Sequence, residues 1–380
     1  LMSSMEIKAD KIIFSPQLSD FSFSPIRKDI KEETYILGTF NPGMCRLPDE
    51  NILIMVRVAE ALRKPIVNNI FKIIRKDVQK GYVIDKFPAD NLNTEDPRKY
   101  EFKNYRPIKV YGLTSLSWLL PVELSPDGKN IIDIHYNRII EPERSYQEYG
   151  VEDARITKIG NQYYMTTCSV SSERHCTTLY SSENGLDYQL KGIILDHQNK
   201  DMVLFPRKIG DQYFALTRPL GNLYFNTPRF NKYNPGPSIN LGTSSDLLHW
   251  KPTEEPFIRA KKDSLISMKL GGGAPPIETD SGWLVLFHGV EQKKQVGVYR
   301  TFLAILDKNN PSRIKYLDEN NPILESNYKL VKNCTEKIYL KDIIFTSGII
   351  EHEDHHIVAS GELDLCCRLT HISNLSDLKI

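Results

Sequence analysis

Five stretches of this chain repeat one strand–turn–strand pattern. Asp153–Cys168 reads Asp-Ala-Arg-Ile-Thr-Lys-Ile-Gly-Asn-Gln-Tyr-Tyr-Met-Thr-Thr-Cys, and Leu204–Arg218 reads Leu-Phe-Pro-Arg-Lys-Ile-Gly-Asp-Gln-Tyr-Phe-Ala-Leu-Thr-Arg. In both, β-branched and aromatic residues flank a Gly-Asn or Gly-Asp pair, residues that accept the positive φ of a tight hairpin turn. Looser copies cover Gly273–His288 and Ser347–Gly361, and an earlier one begins at Phe40-Asn-Pro-Gly and runs through Asp49–Arg57. Each copy leaves room for two more strands before the next. The spacing therefore predicts an all-β chain of four-stranded units, a five-bladed β-propeller spanning 1–380 as one domain. A β-sandwich with chance similarity is the competing reading, and the turn-for-turn match speaks against it. Helical periodicity is scarce; its best candidate is Asn68–Lys80, with Ile70, Phe71, Ile73 and Ile74, and that stretch reads alternatively as an edge segment.

Charge narrows the partners. With 49 basic and 48 acidic side chains the net charge is +1, so no global field draws nucleic acid or an anionic membrane. Residues Leu1 to Asp10 lack the apolar run of a signal peptide, and no stretch approaches the roughly 20 apolar residues of a spanning helix. Cys45, Cys168, Cys176, Cys334, Cys366 and Cys367 show neither zinc-site nor disulfide-scaffold spacing. Reduced thiols in a cytoplasmic protein are the expectation, with no metal site.

In a propeller the inner hairpins aim their ends at one channel. The second hairpin strands end near Arg57, Ser169, Arg218, His288 and, slightly later, Asp364; the first strands carry Asn41, Asp153, Lys200 with Asp201, and Lys269. A buried strand end would ordinarily hold small or apolar residues, because an unpaired buried charge costs several kcal/mol (~3–5). Recurrent charge implies a polar channel. Singly, Arg218 reads equally well as a surface ion-pair partner and His288 as a core histidine. Together, the cations Lys200, Arg218, Lys269 and His288 beside the acids Asp153 and Asp364 suggest an anion site next to an acid catalyst.

Other features carry less. Gly271-Gly-Gly273 lacks the Gly-Lys-Ser/Thr ending of a nucleotide loop and reads as a turn entering a strand. Glu351-His-Glu-Asp-His-His356 falls where a repeat has its turn, so a solvated turn is expected rather than a metal site. The sequons at Asn333 and Asn374 matter only in a secreted protein. Cys366 and Cys367 read as packing residues. Tyr224, Phe225, Phe230 and Tyr233 lie in an extra segment, Leu223–Ile239, that suits an acceptor-side sugar platform or a homo-oligomer contact.

Several short stretches resemble glycoside hydrolase family 130, the β-mannoside phosphorylases and related β-mannosidases. They are Phe40-Asn-Pro-Gly43, Ile54-Met-Val-Arg-Val-Ala-Glu60, Gly150-Val-Glu-Asp-Ala-Arg155, Asn199-Lys-Asp201 with Leu204-Phe-Pro206, Arg218-Pro219, Lys269-Leu-Gly-Gly-Gly-Ala-Pro-Pro276 and Phe287-His-Gly289. Order and spacing hold from about residue 36 to about residue 367. The resemblance implies a propeller with Asp153 as general acid. It places Lys200, Arg218, Lys269 and His288 at the phosphate, and Asn41, Arg57, Arg155 and Asp364 at the mannosyl unit. It implies no cofactor, only inorganic phosphate as co-substrate. Two departures bear on substrate preference: Ser360-Gly-Glu-Leu-Asp364 replaces a Tyr-Gly-x-x-Asp pattern, and Thr217 stands where His is common before Arg218. Lys200 and Lys269 bring charge without the bidentate fork of an arginine.

An inverting glycosidase needs a second carboxylate to activate water, whereas a phosphorylase needs cations to position a nucleophile that is already competent. Phosphorolysis of a β-mannoside, plausibly β-1,2-linked mannobiose or a short oligomer, to α-mannose 1-phosphate is therefore the leading expectation. An inverting β-mannosidase is the second reading, and a non-catalytic carbohydrate-binding propeller the third.

Overall fold

The computed structural model describes residues 5–221, 224–236, 238–334 and 338–376. Leu1–Ser4 of the leader reading, Leu223 and Pro237 of the aromatic segment, and Thr335 of the first sequon lie outside them. The class is all-β: the described residues form strands and short 3₁₀ turns, with no α-helix among them.

Five antiparallel sheets follow one another along the chain. The first contains Thr34–Arg46, Ile52–Leu62, Ser115–Leu124 and Ile131–Ile134; the second, Val151–Ile159, Gln162–Val170, His175–Ser182 and Gln189–Leu195. Asn199–Leu204, Tyr213–Pro219, Asn240–Ser244 and Lys251–Pro252 form the third. The fourth has Lys269–Gly272, Gly282–Glu291, Val298–Leu306 and Ile314–Leu317, with Ile277–Thr279 on the same neighbour as Lys269–Gly272. In the fifth, Ile344–His352, His355–Glu362 and Cys366–Ser373 are joined by Glu6–Phe14, from the other end of the sequence. All five hairpins expected from the repeats are present as antiparallel pairs, the fourth through Ile277–Thr279 and Gly282–Glu291.

Strands such as Ile52–Leu62 are buried almost throughout, because both faces of each sheet are covered. One apolar layer separates each consecutive pair. Leu53 and Met55 of the first sheet meet Val151 and Ile156 of the second, Leu179 meets Met202 and Leu204 of the third, and Phe205 and Leu216 meet Trp283 and Phe287 of the fourth. Leu284 and Leu303 then meet Ile344 and Val358 of the fifth. A last layer, with Ile357 and Leu369 against Ile54, Val58 and Trp118, returns from the fifth sheet to the first. The packing thus runs in a cycle. The first-in-chain strands of the sheets, here the leading strands, approach one another: Thr34–Arg46 contacts both Val151–Ile159 and Ile344–His352, and Val151–Ile159 contacts Asn199–Leu204.

Asn68–Lys80 corrects the helical expectation. Asn68 and Asn69 take φ of 49° and 61°, turning the chain, and Ile70–Asp77 runs as the central strand of a small sheet with Ile66–Val67 and Gly81–Pro88. Leu92–Asn93, Lys99–Phe102 and Tyr111–Leu113 make a second small sheet. Both belong to an insert between the second and third strands of the first sheet.

Candidate active site

Three leading strands carry the same irregularity. Pairing skips between Phe40 and Gly43, between Glu152 and Arg155, and between Lys200 and Val203, so each strand bulges. Within the bulges, Asn41, Asp153 and Asp201 adopt φ of 48°, 55° and 54°, the left-handed region that L residues seldom occupy. Asp364, at φ 52°, does so in the turn before the third strand of the fifth sheet. Bulges re-aim side chains, and strained backbone of this kind persists where function holds it.

Asp153 accepts from Asn41 Nδ2 at 2.9 Å and from Arg57 Nη1 at 2.9 Å. Arg57 itself donates through Nε to Ser117 Oγ at 2.8 Å and through Nη2 to Glu152 Oε1 at 3.0 Å, so its fork is set by three partners. Although burial works the other way, Arg57, Arg155 and Lys200 hold the Asp153 carboxyl below its usual range. Burial pushes Asp364 up, against the pull of Arg98 and Arg57. The two carboxyls are therefore moved in opposite directions by their surroundings.

The second half of the site is organised by Asp201. Its Oδ1 lies 3.1 Å from Arg155 Nη2, and its Oδ2 lies 3.0 Å from Arg218 Nη1 and 3.5 Å from His288 Nε2. Two glycines make room for it. A Cβ on Gly271 would stand 2.5 Å from Asp201 Oδ2 and 2.7 Å from His288, and one on Gly272 would stand 2.9 Å from the Asp201 carbonyl. The Gly271–Gly273 run is thus not a turn entering a strand: Gly271 and Gly272 belong to the strand, and their role is close approach.

Most of the expected residues come together here, with differences of role. His288 is fully buried, and burial pushes its imidazole down to about 3, so it is neutral and adds a hydrogen-bonding nitrogen rather than a fourth cation. Arg155 is 2% exposed and donates to the carbonyls of Gly273, Asp153 and Gly272 as well as to Asp201. With its donors so engaged it braces three sheets. Ser169 turns away into its own sheet, bonded to Gln147 and Thr178. Lys200 lies 3.7 Å from Glu152 Oε2. Lys269 has no carboxylate within ion-pair distance among the described residues; its ammonium lies 5.1 Å from the Tyr299 ring centroid. The solvated turn expected at 351–356 is found only in part: Glu353 and Asp354 form an exposed turn, but His356 beyond it is buried.

Sequence reasoning passed over the organising parts of Glu152 and Asp201, although both stand inside quoted motifs. It missed Arg98 and Tyr299 altogether. Arg98 is held by Asp96 through Nε and Nη2, both at 2.9 Å, and lies beside Asp364 and Tyr299. No repeat copy contains Arg98, so no alignment of the chain with itself could expose it.

The site is thus a bulged carboxyl beside a cluster of lysines and arginines, held on cyclically packed sheets. The family model described as beta-1,4-mannooligosaccharide phosphorylase, that of glycoside hydrolase family 130, matches residues 110–378. The chain belongs to that family. It is 30% identical over 339 residues to a beta-1,2-mannobiose phosphorylase of Listeria innocua, covering 86% of each chain. A 1,2-beta-oligomannan phosphorylase of Thermoanaerobacter sp. is 29% identical over 67% of this chain and 78% of its own. The solved structure of the Listeria innocua beta-1,2-mannobiose phosphorylase in complex with beta-1,2-mannobiose superposes with a TM-score of 0.80, at 26% identity and covering 96% of both chains.

Proposed function

We propose that this protein is an inverting β-mannoside phosphorylase acting on β-1,2-linked mannobiose or short oligomers, and that its five sheets are the blades of one propeller forming a single catalytic domain. The observation that carries the reading is the state of the carboxylates. Glu152 is engaged by Arg57 and Lys200, and Asp201 by Arg155 and Arg218, so neither is free to activate water. Lys200, Arg218 and Lys269 meanwhile offer charge to an incoming anion.

In this reading phosphate binds to those three cations, with His288 as a neutral hydrogen-bonding neighbour. One phosphate oxygen attacks the anomeric carbon from the face opposite the leaving group, and the glycosidic C–O bond breaks. The leaving oxygen takes its proton from Asp153, directly or through the 3-hydroxyl of the mannosyl residue. Inversion at that carbon gives α-mannose 1-phosphate. Phosphate also prepares the acid: negative charge beside Lys200 weakens the field that holds Asp153 below its usual range, which favours its taking up from solvent the proton it then donates. Asn41 and Arg57, already on Asp153, together with Asp364, hold the mannosyl ring. The six cysteines carry free thiols, which accords with a cytoplasmic site of action; among the described residues no helix is long and apolar enough to cross a membrane.

The test is product analysis with β-1,2-mannobiose in buffers with and without phosphate. Mannose 1-phosphate formed only in the first supports the proposal. Free mannose released at equal rates in both overturns it in favour of a mannosidase.

A further inference from the structure

The approach to the fourth sheet leaves an open cleft of about 530 Å³, within the roughly 300–1,000 Å³ over which small ligands are held. One side is the segment 262–267, which runs toward the leading strand at Lys269, and another is Glu291 with Gln292, where the neighbouring strand ends. Asn234, from the aromatic segment, and Asn320, from the loop after Ile314–Leu317, complete the lining. The frame is braced. Asn234 donates through Nδ2 to the Ser267 carbonyl at 2.6 Å, the Gln292 N–H donates to Ser267 Oγ at 3.1 Å, and Arg300 donates to Glu291 at 2.8 Å. Register ties the cleft to the site already described. Lys269 pairs with Val290, so Ser267 and Gln292 each stand two residues past that pair. At ~3.3 Å per residue the cleft opens roughly 7 Å along the strands from Lys269.

The lining suits one chemistry. Leu265 is its one apolar side chain among the described residues, and an apolar ligand would leave the hydroxyl, carboxamide and charged groups around it without partners. Among the described residues the side chains of Asp263, Gln292 and Asn320 make no hydrogen bond or ion pair with protein. Lys262 beside Asp263, and Arg300 and Lys293 on Glu291, balance the acids, so no surplus of negative charge draws a cation, while the acids themselves repel an anion. A neutral ligand rich in hydroxyls remains: carboxylates accept from neighbouring hydroxyls, and carboxamides both accept and donate. We propose that this cleft binds a mannosyl unit of a longer β-1,2-mannoside, beyond the units that react, and so favours oligomers over mannobiose. Mannose 1-phosphate carries a single sugar, so every further unit of such a chain lies on the leaving-group side, and the cleft takes one of these.

The inference rests on the phosphorylase reading and is tested apart from it. In phosphate buffer, kcat/KM is measured for β-1,2-mannobiose and β-1,2-mannotetraose as total mannose plus mannose 1-phosphate released, beside thermal unfolding. The proteins are the unmodified chain and the variants Gln292→Ala and Asp263→Gly; glycine is chosen because Asp263 holds φ at 58°. The unmodified protein should cleave the tetraose more efficiently than the biose. Loss of a hydrogen bond in the cleft should lower the tetraose value about two- to tenfold in one or both variants, with the mannobiose value and the unfolding temperature unchanged. Equal efficiency on the two lengths in the unmodified protein overturns the assignment, as does a tetraose value preserved in both variants. Equal losses on both substrates also overturn it, because they mark a merely structural role. The broader reading fails by a different result, phosphate-independent release of free mannose, and the total-sugar measurement still records the length preference in that case.

Discussion

Arg57 donates to Asp153 at 2.9 Å across the boundary between the first and second sheets, with Asn41 on the same carboxyl oxygen. The clasp fixes the orientation of the Asp153 carboxyl, and although burial works the other way, Arg57 with Arg155 and Lys200 holds it below its usual range. Asp153→Asn preserves shape while removing the proton, so turnover should fall about 10²–10⁴-fold. Unfolding temperature and mannoside affinity should change little. Steady-state kinetics on a natural mannoside would check this, and near-normal turnover would remove Asp153 from the chemistry.

Asp201 is the only carboxylate within 4 Å of the buried Arg155 and Arg218 among the described residues. Removing one partner of a buried ion pair typically costs about 3–5 kcal/mol. Asp201→Ala should therefore lower the unfolding free energy by that order and abolish phosphate saturation together. Chemical denaturation with parallel kinetics reads both, and a fully stable variant would show that the cations are held by something else.

Closure of the fifth sheet depends on Arg368, which donates to both oxygens of Asp10 at 2.7 Å and to Glu362 at 2.8 Å. Asp10→Ala removes the contacts that tie Glu6–Phe14 to its neighbour through side chains. Each charge-assisted bond contributes about 1.5–3 kcal/mol, and Asp10 is partly exposed, so a loss near the lower figure is expected. Increased proteolysis of the amino-terminal strand would accompany it. A variant with wild-type melting behaviour would assign the closure to backbone pairing alone.

Acid sensitivity follows from His288. Its folded-state value of about 3 lies below the 6.5 of a free histidine, so the unfolded chain binds the proton first. The contribution to stability is complete above about 6.5 and declines as pH falls toward 3, by about 1.4 kcal/mol for each pH unit in that window. Unfolding temperature should drop between pH 7 and 4.5, and less steeply in His288→Asn. Parallel slopes for the two proteins would mean that other groups set the acid limit.

The hairpins were legible because the same Gly-Asn and Gly-Asp turns recur, and turn chemistry is local. The reading of Asn68–Lys80 went astray because Ile70, Ile73 and Ile74 match a helical stripe, while the partner strand that claims them, Gly81–Pro88, contributes no distinctive signal. Charged strand ends located the site but not its inner order. That Asp201 gathers Arg155, Arg218 and His288 depends on a bulge, and bulges appear only once the register is known. The neutrality of His288 depends on full burial by distant elements, and Arg98 stands on an insert with no repeated counterpart.

Asp10 and Arg368 stand 358 positions apart, yet their strands share one sheet. Glu6–Phe14 must remain without its mate until Cys366–Ser373 has been made. Four sheets can assemble in order behind it, each from contiguous chain, but the fifth is a long-range closure whose loop entropy falls due late. Until those two strands meet, Cys366–Ser373 keeps one unpaired edge, and an unpaired edge is a template for pairing with another chain.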